Sequence, residues 1–446
     1  MSYPDRLEII PLAKPPNATI RVPGSKSITN RALVLAALSS IGFNRTLHGA
    51  LRSEDTEVMV KGLRKLGYQI ETEWPSIRVC HHNSARWVPA ESAEIFVSNS
   101  GTTMRFLTAL CAIGEGRYRL DGVPRMQERP IEDLLAALRD CGVQAYSECG
   151  NGCPPVVVEG RGWFRGHGAW LKGSISSQFI SALLMVAPFH DLDPFTIAID
   201  GPLVSQPYVD MTLTMMRQWG ARWRQSPGEH VYEFEFDSDS KAEYFGPDEY
   251  VIEPDASAAS YFFGAAAISS GRVSIPDLGR RSLQGDVRFL EVLAKMGCEF
   301  YESSCRPDRT NPRSVSTSVH GRPLHGIDVD MNDISDTVMT LAAVACFAEG
   351  PTTIRNVAHI RHKETDRLAA LATELRRVGA EVDEFADGLT ITPRPLHGAE
   401  IETYNDHRMA MSMALIGLKV PGIVIKSPGC VAKTYPDFWD DLEKLR

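Results

Sequence analysis

The chain has 446 residues, enough for two to four domains of ordinary size. With 43% apolar and 23% charged residues it is composed like a folded globular protein, which excludes a disordered, collagen-like or disulfide-framed chain. The net charge of −9 weighs against a general nucleic-acid binder, and the sequence lacks the run of about 18 apolar residues that a membrane span needs.

From the N-terminus onward one pattern returns about every 70–80 residues, the mark of a repeat architecture. A polar capping residue opens a helix that is apolar almost all round. A strand follows, then an amphipathic helix closed by glycine. The first pair starts near Ser25 (SKSITNRALVLAALSS) and ends at Gly67 in GLRKLG. The next pairs start near Asn99, Ser176, Asp255 and Ser335, and end at Gly142, Gly220, Gly297 and Gly379. A sixth starts near Asn405 and stops in DDLEKLR. Glycine just past a helix is the left-handed cap. Each unit therefore reads strand–helix–strand–helix–strand–strand. Its first helix is expected to be buried and its second to lie at a surface. The segment from Ser303 to Thr317 reads as a loop. The polar stretch before Tyr250 and the Pro23-Gly24 step read as interdomain crossings.

Nine well-separated cysteines, an odd count, read as reduced thiols. Cys149 and Cys153 have no second pair with which to build a zinc site. The start Met-Ser-Tyr-Pro-Asp-Arg has neither an apolar core nor an Arg/Ser-rich presequence, which predicts a cytoplasmic location.

Caps of Ser, Asn and Asp take up free N–H groups, and the helix starts carry the positive end of the dipole. Basic residues accumulate beside them: Lys26 and Arg31, Arg105 and Arg129, Lys363 and Arg367, Arg408 and Lys433. The third repeat offers Ser176, Ser177, Gln178, Ser205 and Tyr208 instead. In an acidic chain this pattern points to substrates with several negative charges.

The motifs PGSKSITNR, NSGTTMR, PRMQERPI, SSQF, LVSQPY, SDTVMT, HKETDR, NDHRMAM and AKTYPDF, in this order over nearly the whole chain, resemble the 5-enolpyruvylshikimate-3-phosphate synthase family of enolpyruvyl transferases. The resemblance implies an α/β fold of two inside-out α/β domains, each of three βαβαββ repeats, joined by a double crossover. It implies one domain over residues 22–250 and another over 1–21 plus 251–446, with the active site in the cleft between them. The implied reaction moves the enolpyruvyl group of phosphoenolpyruvate to the 5-hydroxyl of shikimate 3-phosphate and releases phosphate, a step of aromatic amino acid biosynthesis. That chemistry needs an acid, a base and anion clamps, with no cofactor and no metal. The implied partners are these two substrates, without nucleic acid or membrane, in a monomer.

By resemblance, Lys26, Ser27, Arg31, Ser176, Ser177, Gln178, Ser205, Asp336 and Lys363 contact shikimate 3-phosphate, with Tyr208 a wall of the pocket. Lys26, Gly101, Arg129, Gln178, Arg367, Arg408 and Lys433 surround phosphoenolpyruvate. Asp336 is the implied base at the 5-hydroxyl, and it also reads as a helix N-cap. Glu364 is the implied acid and base at C3, and Lys26 completes the catalytic set. UDP-N-acetylglucosamine enolpyruvyl transferases share the chemistry, but they usually carry a loop cysteine as acid and a SKN start, where this chain has SKS with HKETDR. Two positions depart from the common pattern. His359 stands where many members have Asn, and Phe106 stands where Pro usually follows the Arg. Glyphosate inhibits the family at the phosphoenolpyruvate site, so Phe106, five residues after Gly101, is expected to weaken that inhibition.

Overall fold

The computed structural model describes residues 3–39, 42–80, 82, 84, 86–191, 195–225, 231–234, 244–304 and 315–446. Contacts divide the chain into two compact units: Ser25–Ile252, and Met1–Gly24 with Glu253–Arg446.

The Ser25–Ile252 unit carries three helix pairs. They are α1 (Lys26–Leu38) and α2 (Glu54–Lys65), α3 (Gly101–Ala112) and α4 (Glu132–Asp140), and α5 (Ser177–Val186) and α6 (Gln206–Gln218). The first member of each pair is buried along nearly its whole length, because Ala, Leu, Ile, Val and Met occupy every face. The second keeps a charged face in solvent, as in α2, where Val58, Met59 and Leu63 are buried while Lys61, Arg64 and Lys65 are not. The other unit repeats the scheme with α7 (Ala256–Ser269) and α8 (Phe289–Lys295), α9 (Val338–Ala345) and α10 (Arg367–Arg377), and α11 (His407–Gly417) and α12 (Phe438–Glu443). Here α7, α9 and α11 pack directly on one another. A Cβ on Gly264 of α7 would lie 3.0 Å from Thr340 of α9 and 3.1 Å from Leu415 of α11, so glycine lets the helices pack this closely without displacing either side chain.

Each repeat wraps its helices with a small sheet of one design. In the second repeat Ser92–Phe96 runs parallel to Glu115–Asp121, followed by the antiparallel strands Val156–Arg161 and Gln144–Ser147. Two short strands flank the chain crossings, and each pairs within its own unit. Asn17–Thr19, just before α1, pairs in parallel with Arg272–Pro276 of the fourth repeat. Glu249–Val251, just before α7, pairs in parallel with Arg45–His48 of the first. The chain thus crosses twice, at Gly24 and at Ile252. The N-terminal strand Arg6–Ile9 adds antiparallel to Ile423–Lys426 and completes the sixth sheet.

All five helix-closing glycines have positive φ: Gly67, Gly142, Gly220, Gly297 and Gly379. At Gly142 the glycine N–H donates to Arg139 O at 2.9 Å and the next N–H, of Val143, reaches back to Leu138 O at 3.0 Å. This is the paired bond of a Schellman cap. A Cβ on Gly142 would meet nothing closer than 3.5 Å, so a substitution there probes the backbone alone. Gly142→Ala is expected to cost about 1–2 kcal/mol. In denaturant titration the midpoint should fall with the slope unchanged.

Several sequence expectations need correction. The cap of α3 is Ser100 rather than Asn99, and that of α11 is Asp406 rather than Asn405, whose left-handed φ of 53° precludes the extended cap conformation. Ser335 does not open α9. It lies in a 3₁₀ turn, Asn332–Thr337, broken by a non-helical Ile334, and α9 begins at Val338. Asp336 is likewise inside this turn and is not an N-cap. Strands Glu299–Ser304 and Val315–His320 run into both ends of the segment expected to be a loop, and 305–314 lie outside the described residues. Glu249–Val251, at the end of the expected crossing, is also a strand.

Candidate active site

In the unit holding α7–α12, caps set the first turns of α10 and α11. Asp366 accepts the Ala369 N–H at 3.1 Å and Asp406 accepts the Arg408 N–H at 2.8 Å. This fixes Arg367 and Arg408 at the two helix starts. Arg367 is 1% exposed, and its guanidinium meets three carboxylates: Asp406 at 2.8 Å, Glu364 at 2.8 Å and Asp336 at 3.2 Å. Burial opposes its charge, but these carboxylates outweigh burial and raise its pKa. Arg408 donates to Asp336 at 2.6 Å and to the Tyr261 hydroxyl at 3.3 Å. Lys433, closing the short turn Pro428–Lys433, reaches Glu364 at 2.8 Å. Three cations and three carboxylates therefore interlock: Glu364 lies between Arg367 and Lys433, and Asp336 between Arg367 and Arg408.

Two titratable groups border this cluster. Asp286 accepts the Ser257 hydroxyl. Burial, reinforced by Asp336, pushes its carboxyl up to about 6. Burial, reinforced by Lys363, pulls His359 down to about 3. His359 is therefore neutral at working pH, while in the unfolded chain it protonates near 6.5. Above pH 6.5 this difference costs nothing. As pH falls toward 3, the unfolded state binds the proton first and stability is lost, by about 2 kcal/mol at pH 5. Asp286 acts in the opposite sense, since the folded state takes its proton first as pH falls from about 6. The variant His359→Asn should unfold at a higher denaturant midpoint, relative to the parent, at pH 5 than at pH 7.5.

In the Ser25–Ile252 unit the candidate residues form two groups. Arg31 is buried among α1, α5 and α6. It donates to Thr212 Oγ1 at 2.7 Å, Ser27 O at 3.0 Å, Ser181 Oγ at 3.2 Å and Tyr208 O at 3.1 Å. Lys26, in the first turn of α1, pairs with the buried Asp55 at 3.4 Å. The second group surrounds Gly101 at the start of α3. A Cβ there would stand 2.5 Å from Arg129 Nη2 and 3.0 Å from Arg105 Nη1, so any side chain at this position would displace the guanidiniums. Arg129 donates to Asn99 O at 3.3 Å, and Arg105 donates to Gly101 O at 3.2 Å and lies over the Phe179 ring of α5. Ser176 caps α5, accepting the Gln178 N–H at 3.3 Å, beside Ser177. Ser205 holds a left-handed φ of 53° at the start of α6. Among the described residues no cluster of His, Cys, Asp and Glu has metal-binding geometry, and no helix is long and apolar enough to cross a membrane.

Residues 12–442 match the family model of EPSP synthase, 3-phosphoshikimate 1-carboxyvinyltransferase. The chain belongs to the EPSP synthase family. Membership places it among transferases that catalyse enolpyruvyl transfer in the shikimate pathway. It is 47% identical over 435 residues to the 3-phosphoshikimate 1-carboxyvinyltransferase of Nostoc punctiforme, covering 98% of each chain. It is 46% identical over 441 residues to that of Trichormus variabilis, covering 99% of each. The EPSP synthase structure from Acinetobacter baumannii has the same fold, with a TM-score of 0.79 at 24% identity, covering 99% of this chain and 98% of that one.

Of the family residues expected from sequence, Asp336, Glu364, Arg367, Arg408 and Lys433 are joined into one network. Lys363 ends the turn Ala358–His362 beside His359. Arg31 and Ser27 share a hydrogen bond, and Gly101 and Arg129 share a contact. Sequence reading missed Asp406, which both caps α11 and holds Arg367. Its signal was an Asp two residues before the Arg in NDHR, read one position early. Asp55, Thr212 and Ser181 carried no signal, since each meets its basic partner only through tertiary packing. Arg105 was noticed as a basic residue but not assigned to the site.

Proposed function

We propose that this chain transfers the enolpyruvyl group of phosphoenolpyruvate to the 5-hydroxyl of shikimate 3-phosphate, with the roles implied by the motifs. What supports the role assignment is the interlocked cluster, in which carboxylates occupy the cations that an anionic substrate needs. Phosphoenolpyruvate competes for Arg367, Arg408 and Lys433, and in doing so frees Glu364 and Asp336 for proton transfer. Asp336 takes the proton of the 5-hydroxyl as its oxygen bonds to C2, and Glu364, once it has taken up a proton from solvent, gives that proton to C3. The tetrahedral adduct then loses phosphate from C2 as Glu364 takes a proton back from C3. Lys26, Gly101, Arg129 and Gln178 complete the phosphoenolpyruvate set, with Lys26 as third catalytic residue. Lys26, Ser27, Arg31, Ser176, Ser177, Gln178, Ser205, Asp336 and Lys363 hold shikimate 3-phosphate. The reading is of a monomer in the cytoplasm, working without a cofactor.

The testing experiment measures phosphate release from phosphoenolpyruvate with either shikimate 3-phosphate or UDP-N-acetylglucosamine as acceptor. Release with the first alone is expected, and release with the second alone refutes the reading. Gly101→Ala drives a methyl into Arg129 and Arg105. The KM for phosphoenolpyruvate should rise about ten- to a hundredfold, with shikimate 3-phosphate binding unchanged. Steady-state kinetics and calorimetry check the two halves of that statement.

A further inference from the structure

Arg31 differs from four of the site's other cations. Arg367, Arg408, Lys433 and Lys26 each face a carboxylate, whereas no carboxylate pairs with Arg31 among the described residues. It is 2% exposed, and an isolated charge at that depth is costly. Burial lowers its pKa to about 10, with Tyr208 opposing the shift. Neutral groups hold it in place. Four hydrogen bonds go to Thr212, Ser27, Ser181 and Tyr208. Two aromatic faces add to them: the guanidinium carbon lies 5.2 Å from the Phe106 ring centroid and 6.0 Å from that of Tyr208.

The repeat explains the Phe106 contact. Arg31 and Phe106 stand at the same offset, six residues after the caps Ser25 and Ser100 of the buried helices α1 and α3. The ring is 1% exposed inside a regular α3, and it meets Arg31, whereas the groups that meet Gly101 are Arg129 and Arg105. A ring face attracts a cation through its quadrupole without neutralising it, as a carboxylate would. Arg31 therefore keeps its full charge for an anionic ligand.

We propose that Phe106 is a positioning residue for Arg31, holding its guanidinium as an uncompensated cation and so setting the affinity for shikimate 3-phosphate. Four acceptors hold the guanidinium edge, and the ring covers one face. Leucine, of similar bulk, packs the cavity but leaves that face without an aromatic partner, so the group tilts and binding must reorder it. The proposal deepens the function above and rests on Arg31 as a shikimate 3-phosphate ligand.

The test titrates shikimate 3-phosphate calorimetrically into the parent, Phe106→Leu, Phe106→Tyr, Arg31→Met and the Phe106→Leu/Arg31→Met double variant. Phe106→Leu should raise Kd about three- to tenfold. Phe106→Tyr, which keeps the ring, should stay near the parent. With Arg31 already replaced, Phe106→Leu should change nothing further. The KM for phosphoenolpyruvate at saturating shikimate 3-phosphate should move less than about twofold. An unchanged or tighter Kd in Phe106→Leu, or an equal loss in the Arg31→Met background, overturns the proposal. If Arg31→Met itself binds like the parent, the assignment of Arg31 fails instead. If the parent does not bind shikimate 3-phosphate, the functional reading fails.

Discussion

Glu364→Gln is expected to lower kcat about a hundred- to ten-thousandfold while shikimate 3-phosphate still binds, and Asp336→Asn should do the same. Both amides keep the shape of the carboxylate and cannot carry the proton. Neither change should unfold the protein, because Arg367 keeps two of its three carboxylates in either variant. The loss should appear in kcat and kcat/KM together, the pattern of an interaction made in the transition state. Near-parental kcat in both variants would remove the assigned roles. A large loss of shikimate 3-phosphate affinity in Glu364→Gln would turn Glu364 into a binding residue.

The second large effect belongs to Asp406. It is 0% exposed, caps α11 through the Arg408 N–H and bonds the Arg367 Nε at 2.8 Å. Asp406→Ala strips a buried guanidinium of its most buried partner and the helix of its cap. The expected cost is about 3–5 kcal/mol. Asn also caps helices well but carries no charge, so Asp406→Asn should lose less stability than Asp406→Ala. It should still lose turnover, because Arg367 then leans on Glu364 and Asp336 and holds them away from substrate. Denaturant unfolding read beside kcat separates the two effects. Equal stability of Asp406→Ala and the parent would mean that the cap and ion pair contribute nothing net.

The repeat was legible because both of its markers are local. A cap satisfies N–H groups within one turn, and the closing glycine answers a backbone angle that other residues resist, so Gly67, Gly142, Gly220, Gly297 and Gly379 read correctly. The pairing of the two strands beside the crossings was not legible from pattern. Asn17–Thr19 and Glu249–Val251 are three residues each, too short for alternation to show, and tertiary pairing alone chooses their partners. The cap errors at Asn99 and Asn405 share one cause, since an Asn and a Ser or Asp stand side by side and backbone conformation decides between them. At Asp336 a 3₁₀ turn replaces the expected helix start and points the carboxylate at Arg367 and Arg408. The basic site residues were visible as motifs, but the carboxylates that hold Arg367 come from three places in the chain. The contact of Arg31 with Phe106 joins two repeats, and only the packed helices reveal it.

In the proposed reaction Glu364, released from Lys433 and Arg367, protonates C3 of phosphoenolpyruvate. Turnover in deuterium oxide, with the product's vinyl carbon read by mass spectrometry and proton NMR, tests it most directly. A transient methyl group at C3 should leave deuterium in the vinyl position of the parent's product, and Glu364→Gln should lose that exchange together with its turnover. A parental product free of deuterium, or a Glu364→Gln variant that exchanges and turns over at the parental rate, would contradict the account.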